Sequence, residues 1–320
     1  MREQIFTFGQ YLQRTFGAKV SKVPVSISGF TCPNIDGSVA KGGCTFCEND
    51  SFSPSLDRAR ELKGFFLNLQ SQSNPHLDKQ LQQLEWQFNA LSSRLHDENG
   101  AKKFMVYFQS FTNTYAPFDT LKALYEKALS FENVVGLSIG TRSDSISDET
   151  FEYLRELSRE TEIWVEFGIQ SIYDETLERI NRGHDSANVK EAILKAKSYG
   201  LNVCGHLIFG LPGESKEMML ETAKAAYALG IDSVKYHPLY VVKRTALANE
   251  YTRGEFIPIS EELYMEVLKE ALLLKPSHVS VQRISAGIDD DTLIAPQWCR
   301  DKNRQLRAVN NALASIGLKY

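Results

Sequence analysis

The chain has 320 residues, of which 42% are hydrophobic and 24% charged, and a formal net charge of −4. Those shares exclude a disordered chain, and no apolar run approaches the roughly 20 residues that a membrane-spanning helix needs. The length suits two ordinary domains or one α/β barrel and is too great for a peptide-sized module.

The N-terminal Met1-Arg2-Glu3-Gln4-Ile5-Phe6 has no long apolar stretch and no small-residue cleavage site, which predicts a cytoplasmic protein without a membrane partner. Charge is unevenly placed. Residues 1–47 carry +3 and residues 300–320 carry +4, so the body between them carries −11. Basic ends on an acidic body fit a nucleic-acid footprint as well as ordinary surface scatter.

Along the chain, short runs rich in Val, Ile, Phe and Tyr alternate with amphipathic segments. Strands are predicted at 23–28, 103–109, 134–140, 162–170, 201–209, 232–240 and 278–284, mostly with the length and composition of buried parallel strands. Helices are predicted at 77–95, 119–131, 148–158, 186–199, 215–229 and 260–274, with a last one near 303–316. Ser147-Asp148, Asp185-Ser186 and Ser260-Glu261-Glu262 supply start signals, and Gly200 and Gly230 sit where helices should stop. The alternation predicts right-handed βαβ units and a parallel sheet, closed or partly closed into an α/β barrel. Residues 50–75, rich in Ser, Asn and Pro, form the longest irregular stretch and read as a lid or an excursion.

Of five cysteines, Cys32, Cys44 and Cys47 crowd into one short segment with the spacing C-x11-C-x2-C. An odd, clustered set fits a disulfide framework poorly and fits metal ligation or catalysis well. The segment follows the first predicted strand, on the face where α/β barrels carry their sites. Gly37, Gly42 and Gly43 let the loop fold back and bring Cys32 beside the pair. A structural zinc site wants a fourth ligand, whereas an iron–sulfur cluster on three cysteines leaves one iron open. Cys204 and Cys299 have no partner by spacing and read as a buried apolar thiol and a loop residue.

With these motifs the sequence resembles the radical S-adenosylmethionine (SAM) superfamily, whose mark is three cysteines after the first barrel strand. In Cys44-Thr45-Phe46-Cys47 the last two are spaced C-x2-C with an aromatic before the final one. The long first gap departs from the commonest spacing and is similar to that of the Elongator catalytic subunit and the YhcC-type family. Gly205-His206-Leu207-Ile208-Phe209-Gly210-Leu211-Pro212-Gly213-Glu214 resembles the fifth-strand signature. Glu166-Phe167-Gly168-Ile169-Gln170-Ser171 with Asn181-Arg182-Gly183-His184 resembles the fourth-strand pair of YhcC-type members.

The resemblance implies a partial (β/α)6-type TIM-like barrel with a C-terminal strand/helix extension. Its divisions are an N-terminal extension at 1–22, the core at 23–245 and the extension at 246–320. It also implies a 4Fe-4S cluster on Cys32, Cys44 and Cys47 that binds SAM and cleaves it to a 5′-deoxyadenosyl radical. The implied SAM-contacting residues are Phe46, Gln109, Ser110, Thr112, Glu166, Gln170, Arg182, His206 and Gly210. Gln170 would meet the ribose hydroxyls, and Arg182 the methionine carboxylate, as a bidentate guanidinium suits. Each also has a plainer reading: a strand-end turn for Gln109 to Thr114, a surface arginine for Arg182, an ion pair for Glu166, a core histidine for His206. Arg142 and Asp144, after the third strand, also lie on the active face; Elongator-like proteins carry a similar Thr-Arg-x-Asp, and a loop ion pair is the plainer reading.

The implied function is a radical SAM enzyme that trims or rearranges a group already on the wobble uridine of tRNA, served by a reductase or flavodoxin-type electron donor. Lys19, Lys22, Arg300, Lys302, Arg304 and Arg307 would then flank the barrel mouth and meet phosphates. Radical chemistry on a small metabolite or porphyrin, and a zinc-stabilised RNA-binding protein without catalysis, are the alternatives.

Overall fold

The computed structural model describes residues 3–48, 62, 64–285, 287–288 and 291–320. Half of the expected lid or excursion, residues 50–61 and 63, lies outside the described residues. No described helix is long and apolar enough to cross a membrane.

Seven parallel strands build one sheet, with α-helices between them. In chain order the sheet strands are β2 (Val20–Val25), β3 (Lys103–Phe108), β4 (Val134–Thr141), β5 (Glu162–Gln170), β6 (Asn202–Phe209), β7 (Ser233–Pro238) and β9 (Ser280–Arg283). They pair in the order β2-β3-β4-β5-β6-β7-β9, the strand sequence that simple right-handed crossovers produce. The helices are α2 (Leu77–Asn99), α3 (Phe118–Leu129), α4 (Asp148–Leu157), α5 (Asp174–Arg179), α6 (Ser186–Ser198), α7 (Lys216–Ala228), α8 (Ala246–Thr252), α9 (Glu261–Leu274) and α10 (Lys302–Ala314). Side chains of Ser147, Asp185, Ser215 and Ser260 cap α4, α6, α7 and α9 by accepting a backbone N–H three residues on, so the start signals act as read.

The sheet curls into a half-barrel, with its outer face in the main apolar core and its inner face lining a lumen. Strand β9 extends the six core strands by one, as the seventh predicted strand required. The short strands β8 (Val241–Val242) and β10 (Leu293–Ala295) pair beyond the end of β7. At the other end, β1 (Glu3–Gln4) pairs with β11 (Leu318–Lys319).

The first strand begins three residues earlier than predicted, because Val20 already pairs with Lys103. The expected continuation through Ser28 leaves the sheet and enters a turn, bonded to helix side chains instead of to a strand. Gln87 accepts from Ser26 N at 2.9 Å and donates to Ser26 O at 2.8 Å; Gln83 accepts from Ser28 N at 2.8 Å, and Gln80 donates to Ser28 O at 2.6 Å. Three amides on one face of α2 thus act as the missing edge strand.

The sequence reading also passed over α1 (Phe8–Phe16), closed by a Thr7–Gln10 capping box and by Gly17 at φ 64°. Phe8 and Leu12 of this helix pack with Val20, Met105, Trp164 and Cys204, plugging the lumen near the N-terminal ends of the strands. The segment before it makes a parallel bridge from Thr7 to Val281, along the free edge of β9.

Candidate active site

Because Ser26 and Ser28 are fixed by α2, the chain leaves β2 in one direction and turns into the cysteine loop. Cys32 O accepts from Ile35 N at 2.7 Å and Asp36 N at 3.1 Å, and Cys47 N donates to Cys44 O at 3.0 Å. Gly42 and Gly43, at φ 83° and 75°, make the turn that the sequence assigned to them.

Two asparagines lock this loop to the turn after α5. Asn34 Nδ2 donates to Asn181 O at 2.6 Å and Arg182 O at 2.9 Å, while Asn181 Nδ2 donates to Gly43 O at 2.7 Å and Lys41 O at 3.0 Å. A Cβ on Gly183 would sit 2.5 Å from Asn34 Oδ1, so the contact depends on glycine. The sequence reading missed Asn34; its buried position beside two cysteines is a tertiary fact.

Nitrogen donors surround the sulfurs. Arg182 Nη1 lies 3.8 Å and Asn34 Nδ2 3.7 Å from Cys44 Sγ, and Arg142 Nη1 lies 3.9 Å from Cys32 Sγ. Arg142 is fixed by a two-pronged pair with Asp144, at 2.8 and 2.5 Å. Burial opposes ionisation of Asp144, but Arg142's hydrogen bonds and charge hold its carboxyl below the usual range. Burial, then the neighbouring Cys44 and Cys32 sulfurs, push the Cys47 thiol far up. Metal ligation would require these thiols to be deprotonated.

Gln170 and Arg182, twelve positions apart in sequence, converge on Gly168. Arg182 Nη2 donates to Gly168 O at 3.0 Å, and a Cβ on Gly168 would meet Arg182 Nη2 and Gln170 Nε2, each at 2.7 Å. Gln170 takes φ 65°, a left-handed conformation rare outside glycine, at the end of β5. Gln170 Oε1 and Arg182 Nε are buried without a hydrogen-bond partner. Such atoms beside three metal-competent sulfurs fit an added group that brings its own donors and acceptors. Ser110 and Thr112 are also buried, and Thr112 N donates to Thr31 O at 3.2 Å, tying the turn after β3 to the loop at Cys32. Phe46 packs against the apolar cluster that holds Leu177, Ile180 and Leu211.

The other expected residues have partners elsewhere in the half-barrel. Gly210 takes φ 91°; its N donates to Met219 Sδ at 3.1 Å, and its missing Cβ faces Ile259 of the extension at 2.7 Å. Glu166 and His206 lie in the lumen. Lys22 and Lys235 both donate to the Glu166 carboxylate, with Ser138 Oγ at 2.5 Å and His206 Nε2 at 2.7 Å. The Glu166, Cys204 and His206 ligand atoms lie within 4.8 Å of one another, but two ammonium groups already occupy that carboxylate. Burial pushes the Cys204 thiol up to about 12, which leaves it a neutral, poor ligand. Lys22 was expected at the barrel mouth on RNA; it is inside, because it shares β2 with Val20 and its charge is needed by Glu166. Lys19 precedes β2, at the end opposite the cysteines, and donates to Asn99 O. Cys299 lies in a short 3-10 turn, Gln297–Cys299, and is fully buried instead of in an open loop.

Comparison with known proteins accords with this geometry. Residues 40–226 match the radical SAM superfamily and residues 231–315 the Radical_SAM C-terminal domain. Protein YhcC of Escherichia coli K12 is 36% identical over 303 residues, covering 94% of this chain and 90% of that protein. A tRNA uridine(34) acetyltransferase of Methanocaldococcus infernus is 34% identical over 163 residues, covering 50% of this chain and 30% of that protein. The structure of the Methanocaldococcus infernus Elp3 with an N-terminal deletion shares the fold, with a TM-score of 0.62 at 22% identity, covering 93% of this chain and 64% of that one. The half-barrel, the cysteine loop and more than half of the chain's length in one family match lead to one assignment: this protein belongs to the radical SAM superfamily, whose enzymes use a 4Fe-4S cluster and SAM.

Proposed function

We propose that Cys32, Cys44 and Cys47 hold the cluster, that Gln170, Arg182 and the turn at Gln109, Ser110 and Thr112 receive SAM, and that the substrate is the wobble-uridine side chain of a tRNA. The observation that carries the cofactor reading is the ring of nitrogen donors on the sulfurs beside the partnerless Gln170 and Arg182 atoms. When bound, the cluster supplies the electron that cleaves SAM. The chain's own residues orient and enclose: Arg182 is fixed at two atoms, Arg142 is held by Asp144, and Phe46 seals the loop against an apolar cluster. We keep residues 23–245 as the unit carrying this site and 246–320 as an extension packed on it, with Gly210 contacting that extension. A reductase or flavodoxin-type protein would deliver the electron.

Support for tRNA comes from the Methanocaldococcus infernus relative, a tRNA uridine(34) acetyltransferase that matches half of this chain. Its acetyl transfer does not carry over, since the match spans 30% of its length. Trimming or rearranging a group already on the uridine is the reading that remains. Anaerobically reconstituted protein should be brown with about four irons, and Cys32→Ala, Cys44→Ala or Cys47→Ala should abolish SAM cleavage while Cys204→Ala keeps its iron. Digested tRNA from cells with and without the gene should differ in one uridine nucleoside. Identical nucleosides alongside a changed metabolite pool would move the substrate to a small molecule.

A further inference from the structure

The lumen holds more positive than negative charge. Glu166 is the one carboxylate that these groups touch among the described residues, and it faces both Lys22 and Lys235. Lys235 also donates to Tyr107 OH at 3.1 Å, and Lys22 to Ser138 Oγ at 3.0 Å and Gln282 Oε1 at 2.5 Å. Arg283 stands in register with Lys235 across β7 and β9, is half-buried, and makes no ion pair or hydrogen bond among the described residues. His237 follows Lys235 on the same face of β7, one step nearer the strand ends, and its buried Nε2 has no partner. Its ring lies 5.5 Å from that of His206, whose Nε2 is spent on Glu166.

We propose that this part of the lumen receives an anionic group of the substrate, a carboxylate or a phosphate, held by Lys235, Arg283 and His237. The placement rests on the barrel being a radical SAM site and not on the substrate being tRNA. A buried excess of ammonium and guanidinium groups is costly unless a counter-charge arrives, and a guanidinium with no partner is suited to a two-oxygen anion. Burial, with the Lys235 charge next, pushes His206 down to about 4; burial and the Arg283 charge hold His237 well below its ordinary range. Both rings are therefore neutral at neutral pH; His206 gives its one N–H to Glu166, and His237 Nε2 is the ring nitrogen left to donate to an anion.

The test is titration calorimetry of the reconstituted full-length protein with saturating SAM, using malonate and inorganic phosphate as probes at constant ionic strength. One or both should bind saturably, one per chain, and Arg283→Gln should weaken that binding at least tenfold. Arg283→Gln breaks no pair among the described residues, and His237→Asn provides a second variant, with the melting temperature of each as the control for folding. Binding of malonate alone assigns a carboxylate, and of phosphate alone a phosphate. No saturable binding, or equal affinity in both variants, overturns the proposal. A protein that holds no iron and cleaves no SAM fails the radical SAM reading itself, a different result from a SAM-cleaving protein that ignores both anions.

Discussion

Arg182 concentrates the site's geometry in one side chain. Its two terminal nitrogens serve Cys44 Sγ and Gly168 O, and Nε remains to be satisfied. A lysine keeps the charge but reaches a single point. Arg182→Lys should weaken SAM binding by about 1–3 kcal/mol in titration calorimetry; unchanged affinity would place Arg182 outside the SAM site. Glu214, in the turn after β6, illustrates a different cost. Burial pushes its carboxyl up from 4.5 to about 7, despite the hydrogen bond from Ser171 Oγ, and its Oε2 has no partner. The folded state therefore keeps a proton that the unfolded chain releases between pH 4.5 and about 7. Stability falls across that window as pH rises, and the cost is complete above it. Glu214→Gln should remove the fall, leaving the variant roughly 2–3 kcal/mol more stable than the parent at pH 8 and little changed at pH 4. Denaturant unfolding at the two pH values decides it; parallel pH profiles would show that Glu214 ionises freely in the fold.

At the scale of elements, α2 matters less as a covering helix than as an edge to β2. Gln80, Gln83 and Gln87 satisfy backbone groups of Ser26 and Ser28 that would otherwise be buried unpaired. Gln87→Leu keeps the size and helix propensity of the site but removes both bonds to Ser26. It should cost about 2–4 kcal/mol of unfolding free energy, the sum for a buried donor and acceptor left unpaired. A variant as stable as the parent would mean that water replaces the amide. In sequence these glutamines look like a solvated helix face. Nothing in their spacing shows that the neighbouring strand lacks a partner. The opposite case is α1, whose capping box Thr7–Gln10 and terminal Gly17 were legible signals that the search for barrel units passed over.

For the whole molecule, the charge asymmetry divides differently from the sequence reading. The N-terminal share is partly consumed inside, where Lys22 pairs with Glu166, whereas Arg300, Lys302, Arg304 and Arg307 are exposed at and before the start of α10. Arg304 pairs with Glu261 at 2.6 Å and Arg307 with Asp301 at 3.9 Å, contacts that a phosphate can displace because all lie near water. If tRNA is the substrate, reversing Lys302, Arg304 and Arg307 to Glu should weaken its binding. It should also reduce the slope of log affinity against log salt by about two, at roughly 0.7 per phosphate contact. An unchanged slope in filter binding would leave α10 as a packing helix only.

The cysteine spacing, the glycines beside it and the alternation of apolar strands with amphipathic helices determined the fold class and the folded-back cysteine loop from sequence alone. Those features are local or periodic, and the chemistry of three clustered thiols is specific. The partners of single charged residues were decided only by the tertiary structure. Lys22, Glu166, Lys235 and Arg283 come from four strands and meet because the sheet curls, bringing charges far apart in the chain into one lumen. Asn34 and Asn181 bind each other's backbone for the same reason. A polar residue's role depends on which burial and which counter-charge it finds, and one-dimensional spacing carries neither.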